Sequence, residues 1–159
     1  MEELGLLHLT HRPITELLEL AKWAEDFTTT QLEQLALFFT PYSAETGLTL
    51  IREGLRCSFI CLICEGEVDV IKESSIGRSK KLQSFGPGKV LGEMSFFDHA
   101  PASATIVVKK EAVLLLMTEE NYKSLCEQQP HLALVITIKL IRTVSQRLRQ
   151  TSGKLIDLI

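Results

Sequence analysis

The residues whose types and spacing best suit chemistry fall in one stretch, VLGEMSFFDHAPASATI, residues 90–106. Gly92 has no Cβ, so the backbone there can come close to a bound group. The turn after it can aim free N–H groups of a helix start, at Met94 and Ser95, toward phosphate oxygens. Glu93 places a carboxylate in that first turn, where the helix dipole favours an acid whether or not a ligand is present. Further along, the Ser103 and Thr105 hydroxyls and the amides around Ala102 and Ala104 offer donors to an oxyanion. The same Ser-Ala-Thr-Ile run reads equally well as the start of a strand built from small residues. The chemistry in view is capture of an anionic group.

Bond-making chemistry finds no support. The chain holds no nucleophile elbow, no Walker loop and no metal triad, and no histidine is placed by sequence to activate Ser95, so no catalytic residue and no enzyme activity are assigned. Cys57, Cys61 and Cys64 sit in or beside one strand, but alternation sends Cys61 and Cys64 to opposite faces, which suits buried packing better than a shared metal. No metal ligand is assigned, and His8, His11, His99 and His131 mark no site.

The elements that must hold this loop follow a simple order. In residues 13–39 Ile14, Leu17, Leu18 and Ala21, then Leu32, Leu35, Phe38 and Phe39, recur at helical spacing, and Thr30-Gln31-Leu32-Glu33 fits a capping box for the second helix. From residue 47 to 117 the pattern changes to short β-rich runs, TLIREG, FICLICEGEVDVIKE, KKLQSFGPG, SATIVVKK and AVLLLM, punctuated by glycine, proline or serine. Thr118 can cap a short helix to about Glu127, and Pro130 suits the first turn of a long helix through Arg149. The fold class is α+β, an antiparallel β-roll with N-terminal helices and a long C-terminal helix. One domain over 1–159 is expected, with helices in 1–45, the roll in 46–117 and helices in 118–159.

Composition agrees with a single core: 159 residues at 45% hydrophobic content are enough for one well-buried domain. A net charge of −3 gives no general attraction to nucleic acid or to an anionic membrane. The apolar run 112–117 is far below the ~20 residues that cross a bilayer, and the start MEELG lacks a basic signal region, so a cytoplasmic protein with reduced cysteines is expected.

Several spaced motifs, taken together, resemble the cyclic nucleotide-binding domain family. They are Ile51-Arg52-Glu53-Gly54, the run FICLICEGEVDV, Phe85-Gly86-Pro87-Gly88, and Gly92-Glu93-Met94-Ser95 leading to Pro101. The resemblance implies an eight-stranded roll that encloses the nucleotide, a short helix inside the phosphate-binding cassette, and a long helix that lids the pocket. It also implies that Glu93 accepts a hydrogen bond from the ribose 2′-hydroxyl. Iron-sulfur relatives of this fold rely on cysteines mainly near the N-terminus, and the first 56 residues here have none.

One departure stands out. Where relatives place the arginine that clamps the cyclic phosphate, after Pro101, this chain has Ala102. Loss of a buried bidentate arginine should cost a phosphate ligand about 3–5 kcal/mol, two to four decades of affinity. Arg52, Arg56, Lys109 and Lys110 are other cations, but by sequence they read as solvated turn or edge charges.

The last helix carries two further readings. Its Thr151-Ser152 resembles the Thr-Ser pair that lies near the adenine base in the family's cyclic-AMP-responsive activators, though two hydroxyls also suit ordinary helix surface. Leu134, Ile138, Ile141, Ser145, Leu148 and Leu155 form one stripe, and Ile136, Leu140 and Val144 an adjacent one. Two stripes are either one wide core face or a core face plus a coiled-coil seam, and family habit favours a homodimer. Lys139, Arg142, Arg147, Arg149 and Lys154 against Asp157 read as a solvated charged face, and with no recognition helix after Ile159 direct DNA binding is not expected.

Two functional readings follow. The first is a regulatory sensor whose cassette, residues 92–105, holds cyclic AMP, cyclic GMP or another small anion, with weakened or altered specificity, and signals to a protein partner through the last helix. The second is a roll that has lost its nucleotide and serves as a protein-interaction or dimerisation scaffold.

Overall fold

A computed structural model describes residues 5–8, 11–74 and 77–156, with the side chains of 154–156 excepted. The Lys154 and Leu155 side chains and Asp157 therefore lie outside the described residues. Among the described residues five α-helices and seven strands run in the order β1 (Leu7–His8), α1 (Ile14–Leu20), α2 (Thr29–Ala36), β2 (Thr40–Ala44), β3 (Thr49–Ile51), β4 (Phe59–Glu73), β5 (Ser79–Phe85), β6 (Val90–Leu91), α3 (Glu93–Asp98), β7 (Thr105–Thr118), α4 (Glu119–Gln128) and α5 (Pro130–Ile156).

All strand pairs are antiparallel. The ladder runs β1-β2-β7-β4-β5, with β3 added to β7 and β6 to β4. Seven strands appear among the described residues rather than eight, because β4 and β7, 15 and 14 residues long, each serve two parts of the roll. The register between them shifts between Ile63 and Val68. At the centre of that irregularity Gly66 has φ +86°, and a Cβ there would lie 2.3 Å from the Glu111 carbonyl oxygen. Only glycine fits both the backbone angle and the close approach, and the bulge lets the sheet curl.

Alternation then separates two cores. Ile60, Leu62, Cys64, Leu115 and Met117 face the helices, where they meet Leu17, Leu35, Leu125, Ile136 and Leu140. Cys61, Ile63, Val68, Val70, Ile106, Val108, Leu114 and Leu116 face the inside of the roll. Both faces of FICLIC are buried, which is why that run is apolar without interruption. Cys61 and Cys64 thus lie on opposite faces, and burial pushes the Cys64 thiol to about 12 and Cys61 well above its ordinary value. Both are protonated packing residues.

The ends of elements differ from expectation in instructive places. Thr28, not Thr30, caps α2: its hydroxyl accepts the Gln31 N–H and the Gln31 side chain accepts the Thr28 N–H. The earlier start places Phe27 and Leu32 in the same core, and that pairing across the cap decides between two threonines with similar local credentials. β2 occupies residues assigned to helix, and Pro41 hid it. Among the described residues β1 pairs with Tyr42 and Ser43, and Pro41 faces Leu115 of β7 on the other side. Thr118 caps α4 as expected, accepting the Asn121 N–H at 3.2 Å. None of the described helices is long and apolar enough to cross a membrane.

Candidate ligand pocket

The curl of the sheet leaves a cavity of about 350 Å³ between the inside of the roll, α3 and α5. Its wall includes Ile51, Val70, Phe85, Leu91 and Ile106 from the strands, and its polar groups come from the cassette, from β4, from β5 and from α5. That mix of apolar wall and few polar groups is typical of small-molecule sites.

Within the cassette the backbone is already committed. Gly92 has φ +80°, and a Cβ there would meet the Phe59 carbonyl at 2.6 Å and the Cys57 sulfur at 2.9 Å. Its bareness therefore seats the cassette on β4, in addition to opening the backbone to the cavity. The Ser95 hydroxyl accepts the Cys57 N–H at 2.9 Å and donates to the Ala100 carbonyl at 2.6 Å, so it ties the α3 turn together. The Ala102 N–H donates to the Leu55 carbonyl at 2.8 Å, and its carbonyl accepts the Gly54 N–H at 2.9 Å. That amide is not available to an oxyanion.

Of the ten expected site residues, Gly92, Glu93, Met94, Ser95, Ala102, Ser103, Ala104 and Thr151 line the cavity. Thr105 and Ser152 do not. Thr105 begins β7, and its hydroxyl accepts the Glu53 N–H at 3.0 Å. Ser152 is exposed on α5. The Thr151 hydroxyl bonds back to the Arg147 carbonyl at 2.9 Å.

Glu93 is 2% exposed and meets Arg147 of α5, with Nη1 to Oε1 at 2.5 Å. Burial raises its carboxyl above the ordinary value, while the Arg147 charge and the residue's own N–H pull the other way. The Arg147 guanidinium also donates to the Val90 carbonyl and lies 4.9 Å from the centre of the Phe85 ring. Its expected role as a solvated helix charge is thus corrected: apolar and stacked neighbours hold a cation inside the cavity.

Lys72 is the second cation sequence reasoning passed over. It lines the cavity, donates to the Ser103 carbonyl at 2.5 Å, and pairs with Glu53 at 2.6 Å. Glu53 in turn accepts the Glu73 N–H at 3.0 Å, and its carboxyl lies below the ordinary range because of Lys72 first and that N–H second. Signals for both residues existed. Arg147 is one turn before Thr151 on the same helix face, and Lys72 follows Val68 and Val70 on the inward side of β4. Arg56, Lys109 and Lys110 do behave as surface charges, paired with Glu119 and Glu67.

The cassette helix is also wired to the C-terminal helices. Phe96 and Phe97 pack edge-on against Tyr122 of α4 at 5.5 and 5.6 Å, and the Tyr122 and Thr137 hydroxyls share a hydrogen bond at 2.6 Å.

An antiparallel roll, a glycine-led cassette and a lid-like helix supplying an arginine define a ligand-binding regulatory module. Residues 42–129, more than half of the chain, match the cyclic nucleotide-binding domain, and the chain belongs to that family. It is similar to the CRP-like cAMP-activated global transcriptional regulator of Mycobacterium tuberculosis, 29% identical over 119 residues that cover 75% of this chain and 51% of that protein. The chain spans about half the length of the curated relatives it matches. Among solved structures it resembles a cyclic nucleotide-binding domain from Methylobacillus flagellatus, with TM-score 0.87 and 25% identity over 97% of this chain and 89% of that one. The Thermus thermophilus catabolite activator protein shares the fold, with TM-score 0.73 and 24% identity over 85% of this chain and 62% of that one.

Proposed function

We propose that this chain is a regulatory sensor module that holds a cyclic nucleotide, cyclic AMP or cyclic GMP, in the cavity beside α3 and reports occupancy through α5. One observation carries the reading: a buried carboxylate, Glu93, and a cation of the C-terminal helix, Arg147, meet inside the same cavity. A sugar hydroxyl donating to Glu93 and an anionic group meeting Arg147 would loosen that pair and move α5. The shift extends only as far as the ligand prefers one helix position to the other. The contacts of Phe96 and Phe97 with Tyr122 supply a second mechanical link to the same helices.

The absence of an arginine at Ala102 makes the expected affinity weak and the specificity altered. Calorimetric titration of nucleotide-free protein with cyclic AMP and cyclic GMP, beside Ala102→Arg, tests this. Binding by the unaltered chain supports the sensor. Silence of the unaltered chain, with binding by the variant, leaves a competent cavity that no longer takes these ligands and favours the scaffold.

The module works as a homodimer in this reading. Ile136 and Leu140 of α5 are buried in the chain's own core, while Leu134, Ile138, Ile141 and Leu148 are 57%, 40%, 57% and 66% exposed. Spacings of four, three and seven put these four on one stripe, as a helix pair requires. Phe97 and Met94 extend the exposed apolar surface beside it. Ile141→Asp should convert a dimer to a monomer in sedimentation, and an unaltered chain that sediments as a monomer would remove this part of the proposal. The same stripe is the surface on which a scaffold would bind another protein.

A further inference from the structure

Ala102 raises a question of charge that the cavity itself answers. Without a cation on the cassette, a site for a phosphodiester would rely on one arginine already engaged by Glu93. The cavity lining instead holds two cations, Lys72 and Arg147, of which Arg147 is paired with Glu93 in the lining and Lys72 with Glu53 beside it. Lys72 is placed at the cassette, because its ammonium donates to the carbonyl of Ser103, the residue immediately after Ala102.

Resting on the cyclic nucleotide reading, we infer that Lys72 is a phosphate contact of this cavity alongside Arg147, supplied by β4 in place of the cassette arginine. Glu53 acts as its positioning residue. The Glu53 carboxylate is itself anchored by the Glu73 N–H, so it holds the ammonium at Ser103 rather than drifting with it. An ammonium has three donors, and Glu53 and Ser103 take two, which leaves one for a ligand oxygen. Lys72 reaches this position because Val68, Val70 and Lys72 share one side of β4, and the two valines fill the inside of the roll below it.

The substitution changes the kind of recognition. An arginine meets two phosphate oxygens at once through a planar fork, whereas a lysine is a compact point charge on a flexible stem. A single-point contact is less selective for the orientation of the cyclic phosphate, and because the two nucleotides share that group, the Lys72 contact contributes equally to both. Lys72 is also about half exposed, and its contact should weaken with salt.

Titration calorimetry with cyclic AMP and cyclic GMP, on the unaltered chain, Lys72→Met, Lys72→Arg and Ala102→Arg in a Lys72→Met background, tests this at two salt concentrations. Thermal melting of each variant checks its fold. The expected result is binding by the unaltered chain that falls at least tenfold in Lys72→Met, with a flatter salt dependence. Lys72→Arg should stay within about threefold, and Ala102→Arg should restore what Lys72→Met lost. Equal affinity and equal salt dependence in the unaltered chain and Lys72→Met would overturn the role of Lys72 and leave the sensor standing. Silence of the unaltered chain beside binding by Ala102→Arg would overturn it too, since Lys72 would then fail to supply the contact. Silence of every variant would end both this inference and the nucleotide reading on which it rests.

Discussion

The two halves of the β4–β7 ladder use the same backbone for different purposes. Where Phe59–Ile63 face Leu114–Thr118, both sides of the sheet are covered, and Leu62, Ile63, Leu114 and Leu115 are fully buried. Beyond the bulge, where Val68–Ile71 face Thr105–Val108, only the inward row is buried, and it ends at the cavity with Lys72. A sheet packed on both sides has room for neither ligand nor charge. Once a helix layer is missing from one side, the alternation that fills a core also delivers a charged side chain into an opening.

The sharpest way to break that contrast is at the hinge between the halves. Gly66→Ala forces a side chain into a left-handed backbone and against the Glu111 carbonyl, so it should cost about 3 kcal/mol or more and shift the denaturant midpoint accordingly. Leu115→Ala in the doubly covered half should cost about 2–5 kcal/mol by leaving a void between sheet and helices. A loss below about 1 kcal/mol for either would mean that the two halves are not separate structural units.

A smaller effect distinguishes the open half. Arg147→Met leaves Glu93 buried without its cation, and a loss of about 1–3 kcal/mol is expected near neutral pH. Glu93 has a carboxyl raised by burial. The favourable, protonated contribution is complete below the unfolded value and disappears as pH rises through the folded one. Removal of Arg147 raises the folded value further, so the deficit of the variant should shrink in acid. Adding Glu93→Gln should recover most of it near neutral pH. Melting curves between pH 4 and 7 that run parallel for the variant and the unaltered chain would contradict this account.

The smallest expected effect concerns the bulged stretch of the ladder between the halves. Lys109 and then Lys110 hold Glu67 down from the ordinary 4.5 to about 2. Its ionised form therefore adds stability that is present above 4.5 and is lost as pH falls toward 2. Because the pair is at the surface, Glu67→Gln should lower the melting temperature only slightly at pH 7, and the gap should close near pH 2. A gap that persists in acid would show that Glu67 acts by packing.

The local features of the molecule were legible from residue types and spacing. The order helices, roll, helices, the Thr118 cap, the cassette glycine and the opposite faces of Cys61 and Cys64 all depend on neighbours within a few positions, where propensity and periodicity act. Thr28 against Thr30, and the strand hidden by Pro41, already needed more. Each choice was made by a partner far along the chain, the core under Phe27 or the neighbouring strand.

The cavity shows where the boundary falls. Local residue types marked Gly92, Glu93 and Ser103, and the family resemblance marked Thr151, because each rests on a short stretch of chain. The cations came from tertiary structure: Arg147 is 54 positions from Glu93, and Lys72 is 31 from Ser103. No rule of local spacing joins such pairs. They meet because a bulge at Gly66 curls the sheet and α5 closes over it, and charge inside a cavity is decided by which side chains the curl brings together.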